Sequence, residues 1–279
     1  MDLRRLLLFF GFSVYFLFMG CDAAQSKNVP TSFNKENFAD IIKYATGNYI
    51  DPGSINTDKG YIAAAEAAVH ALPYSLYLYP TSYFQEREKI LAPEKIIPGK
   101  VISIDPQNRY VILVPDYDAY DKKVQAYIDQ EKKRKKTLSP QEKTKEFENL
   151  RKRSQEEQKA LEAAWKATNF GVADFERVVE WLETNKADYL KLPPHYKGEN
   201  PYAEEPFGSH HIWFAAINGF LQSMDPHSGV VDTESWDKML KESENNSFEG
   251  IGAMLRGGGN SEVIVETPLA NSPALKAGL

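Results

Sequence analysis

Apolar side chains recur with the period of an α-helix through most of this chain, and that pattern limits the fold more than any other feature. The clearest case is residues 36–50, where one face carries Phe38, Ile41, Ile42, Ala45 and Tyr49. The same spacing predicts further helices, at residues 58–72, 172–190, 210–224 and 233–242. We therefore predict a helical amino-terminal domain over residues 36–243, and the 279 residues have room for one more domain at most.

Two segments depart from the helical period. Between Pro98 and Pro115 apolar and polar side chains alternate, and Asp105 to Asn108 has the composition of a turn, so a β-hairpin is predicted near 99–114. Residues 244–279 contain two short strand candidates separated by glycines, followed by a brief helix at Ser272. The predicted fold class is α+β, mainly α, with a helical amino-terminal region, an inserted β-hairpin and a small carboxy-terminal β domain.

Residues 121–168 are dense in charge and are predicted to form a pair of exposed helices joined near Thr137. Their basic run would suit anionic lipid or nucleic acid. Acidic residues interleave with it, and this favours solvated helix faces. The formal net charge of the chain is −6, which gives no reason to expect a nucleic acid partner.

The amino terminus has the pattern of a bacterial secretory signal. Arg4 and Arg5 precede an uncharged apolar run from Leu6 to Met19, and the chain's single cysteine, Cys21, follows it directly. The run is short for a membrane-spanning helix. We predict a lipoprotein-type signal over 1–20, lipid on Cys21 and a flexible tether over 21–35. The alternatives are a plain signal peptide with an incidental cysteine, or an uncleaved anchor.

Two arrangements that would carry chemistry are not favoured by their spacing. His210, His211, His227 and Asp225 would suit zinc, but adjacent histidines on a helix point about 100° apart. Ser228 lies too close to Asp225 and His227 in the chain for the three to align as a hydrolytic triad. The interpretation is a turn in which Asp225 and Ser228 bind backbone groups, with no catalytic residue, metal or cofactor.

The segment Gly250, Ile251, Gly252 and Ala253 is more informative. Successive backbone N–H groups in a glycine-containing turn form a cavity that suits a carboxylate. If the following residues form an exposed strand edge, an extended peptide can add to that edge.

Three motifs in order resemble those of the carboxy-terminal processing peptidases, also called tail-specific proteases. They are the helix and turn from Gly219 to Ser228, the stretch from Phe248 to Ala253, and the stretch from Asn271 to Leu279. Residues 49–52 resemble an early turn of the same family. The resemblance covers roughly the last 60 residues strongly and residues 36–80 weakly.

The resemblance implies a helical region, a PDZ domain and a serine protease core with a serine nucleophile and a lysine base. It assigns residues 244–279 to the first part of the PDZ domain and Gly250 to Ala253 to carboxylate binding. It places the serine and lysine after Leu279, so the chain as given is expected to be inactive. The implied partners are the carboxy-terminal tails of protein substrates, together with a membrane through the lipid anchor.

The expected location is the bacterial cell envelope, at the periplasmic face or the cell surface. Asp22, next to the lipidated cysteine, resembles an inner-membrane retention signal. The alternative function is a non-catalytic, lipid-anchored peptide-binding or scaffolding lipoprotein, in which the helices of 121–168 are partner surfaces.

Overall fold

The computed structural model describes residues 33–135, 139–193, 196, 200, 202, 206–231, 233–244, 251–257 and 263–278. The chain divides into two compact units, Met1–Asp232 and Thr233–Leu279. The helix at 233–244 therefore falls in the second unit. The predicted boundary, between residues 243 and 244, lies at the end of this helix and not before it. The predicted signal, with Cys21, lies outside the described residues.

The first unit is mainly helical, as predicted. Its helices are α1 (Lys35–Asn48), α2 (Thr57–His70), α3 (Thr81–Ile90), α4 (Tyr117–Lys135), α5 (Pro140–Thr168), α6 (Val172–Asn185) and α7 (Ser209–Met224). Single 3-10 turns lie at Pro52–Ser54, Pro93–Lys95 and Lys186–Tyr189. No helix in the part of the chain that the structure describes is long and apolar enough to cross a membrane.

Capping side chains account for where two of these helices begin. Asn34 accepts a hydrogen bond from the N–H of Asn37 at 3.0 Å, which fixes the start of α1. Ser139 and Glu142 bind each other's backbone N–H groups at the start of α5, with Pro140 as the first helical residue.

The predicted β-hairpin is present, but it belongs to a three-stranded antiparallel sheet. Its strands are β2 (Gly99–Ser103) and β3 (Tyr110–Pro115), with Val101 opposite Leu113. A further strand, β1 (Tyr77–Pro80), pairs with the other edge of β3, so that the order is β1-β3-β2. No strand was predicted at residues 77–80, where Tyr77 is buried and Tyr79 is half-buried.

The core of the first unit centres on the close packing of α2 against α7. Gly219 of α7 lies against α2 so tightly that a Cβ added there would be 2.5 Å from the carbonyl oxygen of Ala63. Gly60 of α2 gives similar room to the ring of Phe220, which is fully buried. Small residues at the crossing let the two backbones approach, and the large ones fill the space beside it.

The second unit contains helix α8 (Thr233–Glu244), an antiparallel pair of strands and a short helix, α9 (Pro273–Lys276). The strands are β4 (Ala253–Gly257) and β5 (Val263–Pro268), with a bulge between Met254 and Leu255. Side chains on the apolar face of α8 are exposed by 40–54%, namely Trp236, Met239 and Leu240.

Candidate functional site

The turn after α7 is shaped by the Asp225 carboxylate. Its oxygens accept hydrogen bonds from the N–H of His227, at 2.8 Å, and from the hydroxyl of Ser228. Those bonds, with the Ser228 hydroxyl first, hold the pKa of Asp225 below its usual range. Asp225 thus binds a backbone group of the turn, as predicted, whereas the hydroxyl of Ser228 binds the Asp225 carboxylate and not a backbone group.

Asn218 of α7, one residue before the motif that begins at Gly219, is buried and was not predicted to have a role here. Its side-chain oxygen accepts the N–H of Val230 at 2.8 Å, and its amide nitrogen donates to the carbonyl of Phe214 at 3.3 Å. A Cβ at Gly229 would lie 2.8 Å from the same oxygen. Asn218 therefore ties the chain that leaves the turn back onto α7. A polar residue in an otherwise apolar helical stripe was the available signal.

One of the two adjacent histidines of α7, His211, has a structural role. The Nδ1 atom of His211 accepts the N–H of Gly208 at 3.1 Å, which caps the start of the helix. The same ring stacks on Phe207 with their centroids 5.0 Å apart. Among the described residues there is no group of three or more metal-binding side chains.

The turn at Gly252 is held in place by two backbone hydrogen bonds, one from Ala274 of α9 and one from Leu269, which precedes α9. The carbonyl oxygen of Ile251 accepts the N–H of Ala274 at 2.9 Å, and that of Gly252 accepts the N–H of Leu269 at 2.8 Å. Gly252 has φ +71°, a left-handed conformation that favours glycine. A Cβ there would also lie 2.3 Å from the Cβ of Ser272, so the turn requires glycine for space as well as for conformation.

These bonds use the carbonyl groups of the turn. Among the hydrogen bonds between described residues outside helices and strands, none has the N–H of Ile251 or Gly252 as donor. The side chains of Ile251 and Met254 flank the turn and are 53% and 54% exposed. Three of the four predicted carboxylate-binding residues are thus brought together at the start of β4, and Gly250 lies outside the described residues.

A buried ion-pair cluster in the first unit, which the sequence analysis did not identify, joins the β2–β3 turn to α6. Arg109 binds the carboxylates of Asp105 and Asp174, and Arg177 binds Asp174 at 2.8 Å. The hydroxyl of Tyr110 donates to Asp174 at 3.1 Å. Burial raises the pKa of Asp105 and of Asp174, but hydrogen bonds from Arg109 outweigh it and hold both values below the usual range. The side chains satisfy one another, and the cluster positions the sheet.

Comparison with known proteins finds similarity over short stretches to carboxy-terminal processing proteases. The chain is 30% identical over 115 residues to carboxy-terminal processing protease CtpA of Bacillus subtilis, a stretch that is 41% of this chain and 21% of the relative. It is 39% identical over 64 residues to the carboxy-terminal-processing protease of Bartonella bacilliformis, which is 23% of this chain and 14% of the relative. It is also 42% identical over 65 residues to protease CtpB of B. subtilis, again 23% of this chain and 13% of the relative.

The matched stretches thus span about a fifth or less of these relatives. No protein-family profile matches the chain. No solved structure matches it either. The similarity thus lies with carboxy-terminal processing proteases and is confined to these short stretches.

Proposed function

We propose that this chain is the substrate-recognition part of a membrane-anchored carboxy-terminal processing serine protease. Residues 251–278 contribute to a PDZ-type domain that captures the free carboxy terminus of a protein substrate. The backbone N–H groups of Gly250 to Ala253 bind the terminal carboxylate, and the substrate tail lies along the edge of β4. Catalysis belongs to a serine and lysine core, and the role of these residues is to present the tail to it.

The observation that carries this proposal is the construction of the Gly252 turn. The carbonyl groups of Ile251 and Gly252 accept hydrogen bonds from the N–H groups of Ala274 and Leu269. These bonds fix the peptide planes around the turn. A carboxylate is recognised by oriented backbone N–H groups, and such groups act best when they are held before the ligand arrives. The half-exposed side chains of Ile251 and Met254 add apolar surface for the last residues of a tail.

The test is binding of a fluorescent tail peptide, measured by anisotropy with the full chain. A peptide with a free carboxy terminus should bind, and the same peptide with a carboxy-terminal amide should lose most of its affinity. Equal affinity for the two peptides would refute carboxylate recognition.

Two matched glycine variants separate the turn from its surroundings. Gly252→Ala strains φ and collides with Ser272, so it should weaken binding of the free-acid peptide strongly. Gly278→Ala strains a φ of +82° without any atom within 4 Å of the new Cβ, and should leave binding nearly unchanged. Near-UV circular dichroism of both variants checks that the tertiary structure is retained.

The membrane anchor is a separate part of the proposal and rests on the sequence around Cys21. The apolar run that precedes this residue and the polar segment that follows it suit a lipid-modified amino terminus in the bacterial envelope. Metabolic labelling with a fatty-acid probe should label the native protein, and Cys21→Ala should abolish the label. Persistent label in that variant would exclude lipidation at this residue.

A further inference from the structure

Helices α4 and α5 follow one another in the chain, are linked by the ion pair of Arg134 with Glu146, and are here called the arm. Its described residues 132–135 and 139–153, here called the basic tip, contain nine lysine or arginine side chains and three acidic ones. The whole chain has a net charge of −6, so the rest of the molecule is more acidic than the total indicates. A single basic end on an acidic protein is an uneven charge distribution that favours an anionic partner.

The carboxy-terminal half of α5 fixes the arm to the core, because Leu161 and Trp165 are buried there and Glu157 binds Lys95 at 2.6 Å. In α4 the last buried apolar residue is Ile128, seven residues before the helix ends. Toward the other end Arg134 of α4 forms an ion pair with Glu146 of α5, so the two helices stay side by side there. An α-helix rises 1.5 Å per residue, so α5 extends roughly 25 Å from the buried Glu157 to its first residue, Pro140.

Most positive charge of the basic tip faces solvent. Lys132, Lys133, Lys145 and Lys152 are exposed, and none of them forms an ion pair within the described residues. Two of the three carboxylates of the tip are already engaged, because Glu146 binds Arg134 and Glu142 caps the start of α5. The acidic residues of the tip therefore neutralise little of the lysine charge.

We propose that the basic tip docks on anionic phospholipid headgroups at a bilayer surface. A protruding end rich in ammonium groups touches a flat surface without bringing the acidic remainder of the chain close to it, and mobile lipids can gather around it. Single-stranded nucleic acid would call for aromatic stacking platforms, and Phe147 is the only aromatic residue within 132–153. The charge therefore favours lipid, and the inference does not depend on the protease proposal.

The experiment is co-sedimentation of the full chain with vesicles, using a Cys21→Ala parent so that no lipid is attached there. Vesicles of phosphatidylcholine alone are compared with vesicles that also contain phosphatidylglycerol. The test variant reverses Lys132, Lys133 and Lys145 to glutamate. The matched control reverses Lys122, Lys159 and Lys166, which are exposed lysines nearer the core on the same two helices. The apolar signal segment at residues 1–20 is common to all variants. Differences in vesicle binding between variants therefore come from the lysines of the arm.

We expect the parent to bind phosphatidylglycerol vesicles more strongly than phosphatidylcholine vesicles, with the difference disappearing at high salt. The tip variant should lose at least about fivefold in binding for each lysine reversed, because removing one positive charge costs about fivefold and the added glutamate is repelled. The control should keep most of the binding. Equal loss in both variants would overturn docking through the tip. Binding to duplex DNA at the same salt with none to phosphatidylglycerol would overturn lipid as the partner. If the glutamate variant loses helical circular dichroism, Lys→Gln at the same positions replaces it, with the same expected ranking.

Discussion

Gly219→Ala adds one methyl group where α2 and α7 approach each other closely, and we expect it to destabilise the fold strongly. The new Cβ would lie 2.5 Å from the carbonyl oxygen of Ala63 and 2.6 Å from the Cβ of Ala67. Both distances are well below van der Waals contact, and the first involves backbone that cannot rotate away. The helices must separate, and that movement loosens the packing of the residues around the crossing.

The size of the effect follows from two opposing contributions. Replacing glycine by alanine inside a helix stabilises it by about 1 kcal/mol through backbone entropy. Overpacking a tight core costs about 1–3 kcal/mol and more where backbone is the obstacle. Because the obstacle here is a buried helix backbone, we expect Gly219→Ala to lower the free energy of unfolding by about 2 kcal/mol. A loss of that size lowers Tm by about 4–8 °C for a protein of this length.

Urea and thermal unfolding measure this directly, with Gly47→Ala as the control. Gly47 lies in α1, and a Cβ there would have no atom within 4 Å, so only the favourable helix contribution applies. The control should therefore be as stable as the parent or slightly more stable. If Gly219→Ala matched Gly47→Ala in stability, the two helices would not be packed as closely as described.

Three further predictions concern polar groups. Asn218→Ala leaves the N–H of Val230 without its acceptor and should lower the free energy of unfolding by about 1–3 kcal/mol, measured in urea. The pKa of Asp174 is held low in the native state by Arg109, so its stabilising effect is present at neutral pH and is lost as pH falls below its ordinary value of 3.8. Arg109→Met should therefore flatten the fall in stability between about pH 5 and pH 1. Burial raises the pKa of Glu66 from 4.5 to about 7, so the native state is favoured below pH 4.5 and loses stability as pH rises toward 7. Glu66→Gln should abolish that loss, and an unchanged pH profile of unfolding would contradict the assignment.

The helices were predictable because their signals are local. The stripe of α1 and the capping pair Ser139 and Glu142 lie within a few residues of the elements they define. Strand β1 gives no such signal, because four residues that end in proline are too short for an alternating pattern. It forms because β3 offers an unpaired edge.

Contacts between distant parts of the chain could not be predicted from the sequence pattern. The bond between Arg109 and Asp174 spans 65 residues, and single-sequence periodicity carries no information at that separation. In the candidate site, the glycines predicted a turn at Gly252. Its contact with Ser272 could not be predicted, because it depends on the path of the chain from β5 to α9. The burial of Asn218 likewise depends on the path of the chain after the Asp225 turn.

The ion-pair cluster has a consequence for how the arm of α4 and α5 tolerates changes of length. Arg109 lies before the arm and Asp174 after it, and the side chains bind each other, so both chain ends of the insertion are fixed in the core. Doubling the length of a flexible connection between fixed ends costs only about 0.6 kcal/mol in closure entropy. Deleting one turn from each helix at the connected end, beyond Ile128, should thus leave the sheet and α6 in register. We expect the length of the arm to change there while the core keeps its geometry.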